Sequence, residues 1–144
     1  MNSKLVLKYE FSRDDDDFGW LMAEVQTPCF AGRNSMWVQW QDVGEFAASL
    51  SRYPIEADNP LLGEWGFGEQ EQYTEITRVR IAPKASTGGL VADISLANYY
   101  EPANRCRARF DTDYPALAKF QEEIERMMLD RSGGAVLNGS TDVR

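Results

Sequence analysis

At 144 residues, with 43% hydrophobic and 26% charged side chains, the chain has the size and mix of one soluble globular domain with a continuous core. Its formal charge of −8 repels phosphate backbones and argues against nucleic-acid binding. No stretch nears the roughly 20 apolar residues of a membrane-spanning helix. The N-terminus lacks the solid apolar run of a signal peptide, so a cytoplasmic protein without membrane attachment is expected.

In chain order, "KLVLKYEF" alternates Leu5, Leu7, Tyr9 and Phe11 with Lys4, Val6, Lys8 and Glu10, the period of two of a half-buried strand. Asp14 to Asp17 and Gly19 read as the following turn. "WLMAEVQ" and "SMWVQW" read as the second and third strands, separated by a loop at Pro28, Gly32 and Asn34. At Asp42 the rhythm changes. Asp42 with Glu45 fits a capping box, and Val43, Phe46, Ala47 and Leu50 follow helical spacing, which predicts a helix over 42–52 ended by Pro54. "LLGEWGFGEQEQY" is a fourth, glycine-loosened strand, and "TEITRVRIAP", "GGLVADISLANYY" and "RCRARFD" are three more. Thr87-Gly88-Gly89 forms the hairpin between the fifth and sixth. Asp113 and Pro115 open a second helix over 114–131, with Leu117, Phe120, Ile124, Met127 and Met128 as its apolar stripe. Gly133-Gly134 ends it. Residues 132–144 lack periodicity and are expected to be a flexible tail. Runs of strands joined by short turns imply an α+β domain over 1–131: a single antiparallel sheet of about six to seven strands with both helices on one face.

Alternation also assigns faces. Met36, Val38 and Trp40 form the more apolar side of the third strand and lead into the helix, so Trp40 is expected in the core and Trp37 outside it. In the second strand Leu21, Ala23 and Val25 point inward, which leaves Trp20 and Met22 on the side of Trp37. If the two strands are neighbours, Trp20, Met22 and Trp37 lie together, either as an exposed contact patch or under a loop such as 56–70 that makes a second small core. Arg105, Arg107 and Arg109 project from one side of the seventh strand, and Arg78 and Arg80 from the fifth. These five are either cross-strand ion pairs with Asp93, Glu75 and the acidic 56–75 segment or a basic stripe for an acidic partner or phosphate. A guanidinium over Trp37 would add a cation–π contact.

Catalytic and metal chemistry find little support. There is no histidine, which excludes triads that use one. Cys29 and Cys106 are expected as reduced thiols and cannot close a zinc site alone, and Cys29 has no evident base beside it. Asp14, Asp16 and Gly19 fall at the first, third and sixth positions of a calcium loop, but Phe18 and Val25 stand where the fifth and twelfth ligands belong. No cofactor and no metal is expected.

The order "DFGWLMAEVQTPCFAGR", "WVQWQDVGEFAASLSRYP", "LLGEWGF", arginine-bearing strands and a closing "ALAKFQEEIERMML" resembles the small bacterial α+β families grouped with immunity proteins of polymorphic toxin systems. The likeness runs over residues 4–130 as an order of elements. It implies an acidic, cytosolic, non-enzymatic inhibitor that acts by binding a cognate, basic protein partner. On this reading Glu56, Asp58, Glu64, Glu69 and Glu71, with the Trp20/Trp37 patch, are the candidate contacts, since complementary charge speeds association. The alternatives are a homodimer or assembly subunit that buries Trp37, and a small-ligand binder or weak enzyme with a pocket between sheet and helices.

Overall fold

The computed structural model of the protein describes residues 2–14, 16–85 and 88–142. The first three alternating segments form an antiparallel meander of β1 (Ser3–Phe11), β2 (Phe18–Gln26) and β3 (Ala31–Gln39). Leu5, Leu7, Leu21, Val25, Met36 and Val38 are buried on its inner side. Helix α1 (Trp40–Ser49) follows directly. Then come β4 (Leu61–Phe67), one turn of 3-10 helix at Gln70–Gln72, β5 (Thr74–Pro83), β6 (Leu90–Ala97) and β7 (Arg105–Thr112). Helix α2 (Tyr114–Asp130) and β8 (Ala135–Gly139) close the chain.

The fold is α+β and antiparallel, but the single sheet of six to seven strands is corrected to two four-stranded sheets, ordered β3-β2-β1-β8 and β4-β5-β6-β7. The long connection through α1 separates β1–β3 from β4–β7, and α2 returns the chain to the first sheet, where β8 pairs with β1. The sheets meet where Asp111 and Ser140 exchange backbone hydrogen bonds, both of 2.8 Å. The side-chain amide of Asn34 on β3 also donates to the carbonyls of Ile76 and Ala97. Both helices contact the first sheet, α2 through β1 and β8 and α1 through β3, and α1 also packs on α2 and reaches β4 of the second. Phe46 of α1 joins them, its ring 5.5 Å from that of Trp65 and 6.5 Å from that of Phe120.

Three further expectations are corrected. Helix α1 begins at Trp40, two residues before the expected 42–52 boundary. Its N-cap is Gln39, without a side-chain bond, and Asp42 lies in the first turn. Trp40 is therefore the first helical residue, not the last of a strand, and is 42% exposed rather than core. The expected 132–144 tail contains β8, which pairs with β1 from Ser3↔Gly139 to Leu7↔Ala135 and buries Ala135 and Leu137 completely. Helix α2 matches its expected stripe, and the Asp113 carboxylate accepts from the Ala116 N–H at 2.8 Å. It ends at Asp130, ahead of Gly133-Gly134. The left-handed residue there is Arg131 (φ 55°), whose guanidinium lies 4.3 Å above the Phe11 ring. That is the only cation–π contact among the described residues, and it is not over Trp37. Asp15 and Thr87, parts of two expected turns, lie outside the described residues.

Gly19 has a packing role that a turn residue would not need. It lies in β2, opposite Phe11, and its missing side chain lets the Tyr9 ring cross over β2 to donate a 2.7 Å hydrogen bond to the carbonyl of Val38 on β3. Burial, reinforced by Asp16 and Asp42, pushes the Tyr9 hydroxyl up to about 12. A β-carbon at position 19 would sit 2.6 Å from the ring's Cζ. Gly19→Ala is therefore expected to destabilise the fold by about 1–3 kcal/mol, the usual range for overpacking, which urea denaturation would measure.

Candidate functional site

The outer face of the first sheet, which neither helix covers, holds a row of aromatic rings. Trp20 and Trp37 are directly opposed in the β2–β3 register, with ring centroids 5.2 Å apart. Phe18 stacks on Trp37 at 5.9 Å. On the other side Tyr99, from the β6–β7 loop, meets Trp20 edge-on at 5.9 Å, and Phe67, the last residue of β4, meets Tyr99 at 5.5 Å. Tyr100 extends the row and is 81% exposed. Asn98 holds this loop in place, its side-chain carbonyl accepting from the N–H groups of Tyr100 and Glu101 at 2.8 and 2.9 Å. Trp20, Met22 and Trp37 are thus half-buried. Tyr99 packs against Trp20, and Phe67, from the 56–70 segment, packs in turn on Tyr99. Beside the row, Met22, Lys8, Arg33, Tyr99 and Tyr100 line an open groove of about 540 Å³.

Carboxylates border the row. Glu10 is opposite Trp20 in register, Asp16 and Asp17 immediately precede Phe18, and Glu101 follows Tyr100. Glu69 and Glu71 follow Phe67 at an exposed turn. The remaining acidic candidates lie elsewhere. Glu56 and Asp58 sit in the loop before β4, where Glu56 bridges to Asn59. Glu64 is opposite Arg78 on the second sheet.

All five candidate arginines project from the outer face of that second sheet. The register places Arg80, Asp93 and Arg109 in one line across three strands, and Arg78, Ser95 and Arg107 in the next. Asp93, only 7% exposed, receives a two-pronged bond from Arg107 at 3.1 and 2.7 Å and lies 3.8 Å from Arg109. Glu75 pairs with Arg105 at 3.2 Å and Arg78 at 3.8 Å. Arg80 makes no ion pair among the described residues. The face is an ion-pair network with arginine in excess, most of it exposed enough that single pairs contribute little.

The two carboxylates titrate in opposite senses. The hydrogen bond from Arg107 outweighs burial and, with the nearby arginines, holds Asp93 below its ordinary value. Burial, then a shared hydrogen bond with Glu64 and that group's charge, raises Glu75 despite Arg78 and Arg105. Asp93 therefore contributes stability that persists above its unfolded value near 3.8 and is lost as pH falls through its lower folded one. Glu75 contributes stability present below about 4.5 and lost as pH rises through its raised folded value. Glu75→Gln, which removes the charge but can still donate to Glu64, is expected to melt at or above the wild-type temperature at pH 7. The gain should not exceed about 4 °C, the span of 1 kcal/mol at this size, and should vanish near pH 4. Thermal melts at the two pH values would measure it.

Cys29 and Cys106 are free thiols, and among the described residues no three His, Cys, Asp or Glu side chains are placed to hold a metal ion. No helix is long and apolar enough to cross a membrane. Sequence reasoning found Trp20, Met22 and Trp37 but missed Phe18, Phe67, Tyr99 and Tyr100. The adjacent tyrosines after Asn98 were the available signal. No protein-family model, curated protein or solved structure matches the chain.

Proposed function

We propose that this chain is a non-enzymatic binding protein that inhibits a basic protein partner by covering its surface, in the manner of immunity proteins, and that it works in the cytoplasm. The observation that carries this reading is the row of six aromatic rings from Phe18 to Tyr100, which runs from the uncovered face of the first sheet onto the β6–β7 loop and the end of β4, with Glu10, Asp16, Asp17, Glu69, Glu71 and Glu101 next to its members in register or along the chain. Aromatic side chains dominate binding energy when a polar rim excludes water around them, and an acidic rim attracts a basic surface as it approaches. A second reading, capture of a small ligand, is favoured by the groove beside Met22, which lies in the usual size range of ligand pockets and brings Lys8 and Arg33 to one opening.

The test is affinity capture from a lysate of the source organism with the wild-type chain and with Trp37→Ala, run beside light scattering of both pure proteins. A stoichiometric basic partner held by the wild type and lost by the variant supports inhibition by occlusion. A partner retained by Trp37→Ala overturns it. A wild-type dimer that Trp37→Ala converts to monomer replaces it with self-association.

A further inference from the structure

Three of the four edge strands are hydrogen-bonded to the opposite sheet. β7 and β8 hold each other through Asp111 and Ser140, and β3 is fastened to the second sheet by Asn34. β4 is the exception. It ends the second sheet, and among the described residues no turn, loop or side-chain hydrogen bond reaches its backbone. Its pairing with β5 is regular from Leu61↔Ile81 to Trp65↔Thr77, where a bulge interrupts it. The uncommitted stretch is therefore five residues long, about 17 Å of extended chain.

The neighbourhood of this edge is built for a particular occupant. Gly63 has no side chain, and a β-carbon there would lie 2.6 Å from Cδ1 of Phe46, so α1 sits close against the inner side of β4. Between helix and strand runs a groove of about 360 Å³, into which α1 contributes Asp42, Glu45 and Ser49 and β4 contributes Leu62 and Glu64. No basic side chain lines it. Leu62, 50% exposed, offers an apolar contact on the outer side. A strand laid along a free edge satisfies its main-chain groups whatever its sequence, and the side chains flanking that edge select among sequences.

We propose that β4 accepts an extended basic segment of a protein partner as a fifth strand of the second sheet, with its cationic side chains toward Asp42 and Glu45 and its apolar ones beside Leu62. This surface is separate from the aromatic row and does not depend on the row's function.

The probe is the capped heptapeptide Lys-Val-Lys-Val-Lys-Val-Lys, titrated into the full ¹⁵N-labelled chain. At about 1 mM, a concentration that detects weak pairing, it is expected to shift the amides of residues 61–65 and 42–49 and to slow hydrogen exchange along β4. The same peptide N-methylated at every residue, and a Glu-Val counterpart, should do neither. Asp42→Asn with Glu45→Gln should weaken binding about three- to tenfold. Trp37→Ala should leave the titration unchanged, so a failure of the aromatic row and a failure of strand addition remain separate results. No shift at β4, equal binding by the N-methylated peptide, or shifts confined to the aromatic row would each overturn the proposal.

Discussion

A chain ending at Ser132 is expected to lose cooperative folding. The missing segment is β8, which completes the first sheet beside β1 and buries Ala135 and Leu137 entirely. Several other contacts go with it. The N–H of Val136 donates to Glu123 of α2 at 2.9 Å, and the carbonyl of Asn138 accepts from Thr112 of β7 at 2.8 Å. Gly139 passes so close beneath Phe110 that no side chain fits there, and Ser140 carries the backbone link between the sheets. Truncating Leu137 alone to alanine should destabilise by about 2–5 kcal/mol. Removing the strand also exposes the core side of β1 and one side of α2, a loss comparable to the whole stability of an ordinary domain, about 5–15 kcal/mol. Urea unfolding followed by circular dichroism would decide it. A sigmoidal transition within a few tenths molar of the full chain would show that β8 is peripheral.

Binding should be most sensitive at Trp37. It contacts Phe18 on one side and Trp20 on the other, so Trp37→Ala breaks the row between them. The expected loss of partner affinity is about 30-fold or more, as for a hot-spot tryptophan, with the fold retained because the residue is only half-buried. Charge changes should act differently. Reversal at Glu69 and Glu71, beside Phe67, should slow association about tenfold at low salt and leave dissociation nearly unchanged. Glu64, which faces Arg78 on the other sheet, should have no such effect. Stopped-flow kinetics at two salt concentrations separates these outcomes. If reversal at Glu69 and Glu71 left association unchanged, the acidic rim would have no steering role.

What the sequence made legible was what is local in it. Period-two alternation placed Trp20 beside Trp37 and all five arginines on one face, because consecutive strands of a meander keep register and parity. Trp40 shows where parity stops. Alternation ends at Gln39, and no capping side chain announces the helix that starts at the next residue. β8 was invisible for another reason: five residues that follow Gly133-Gly134 and end in Gly139 carry too little pattern, and their partner β1 lies at the opposite end of the chain. The split into two sheets was equally non-local, since alternation gives a strand's faces but not its neighbours. The aromatic row was half legible, because Tyr99 and Phe67 arrive from elements distant in sequence from β2.

The arginine face has one more consequence. Five guanidiniums are gathered on one side of a body whose total charge is −8, so the rest of the surface is more negative than the total implies, and the molecule is an electric dipole. In the field of a cationic neighbour such a body feels a torque as well as an attraction. Its arginine-bearing face is turned away and its carboxylate-rich sides are turned inward before any contact forms. Binding from solution would then begin from a restricted set of orientations. Neutralising Arg107 and Arg109, which are not part of the aromatic row, would widen that set and slow productive encounters.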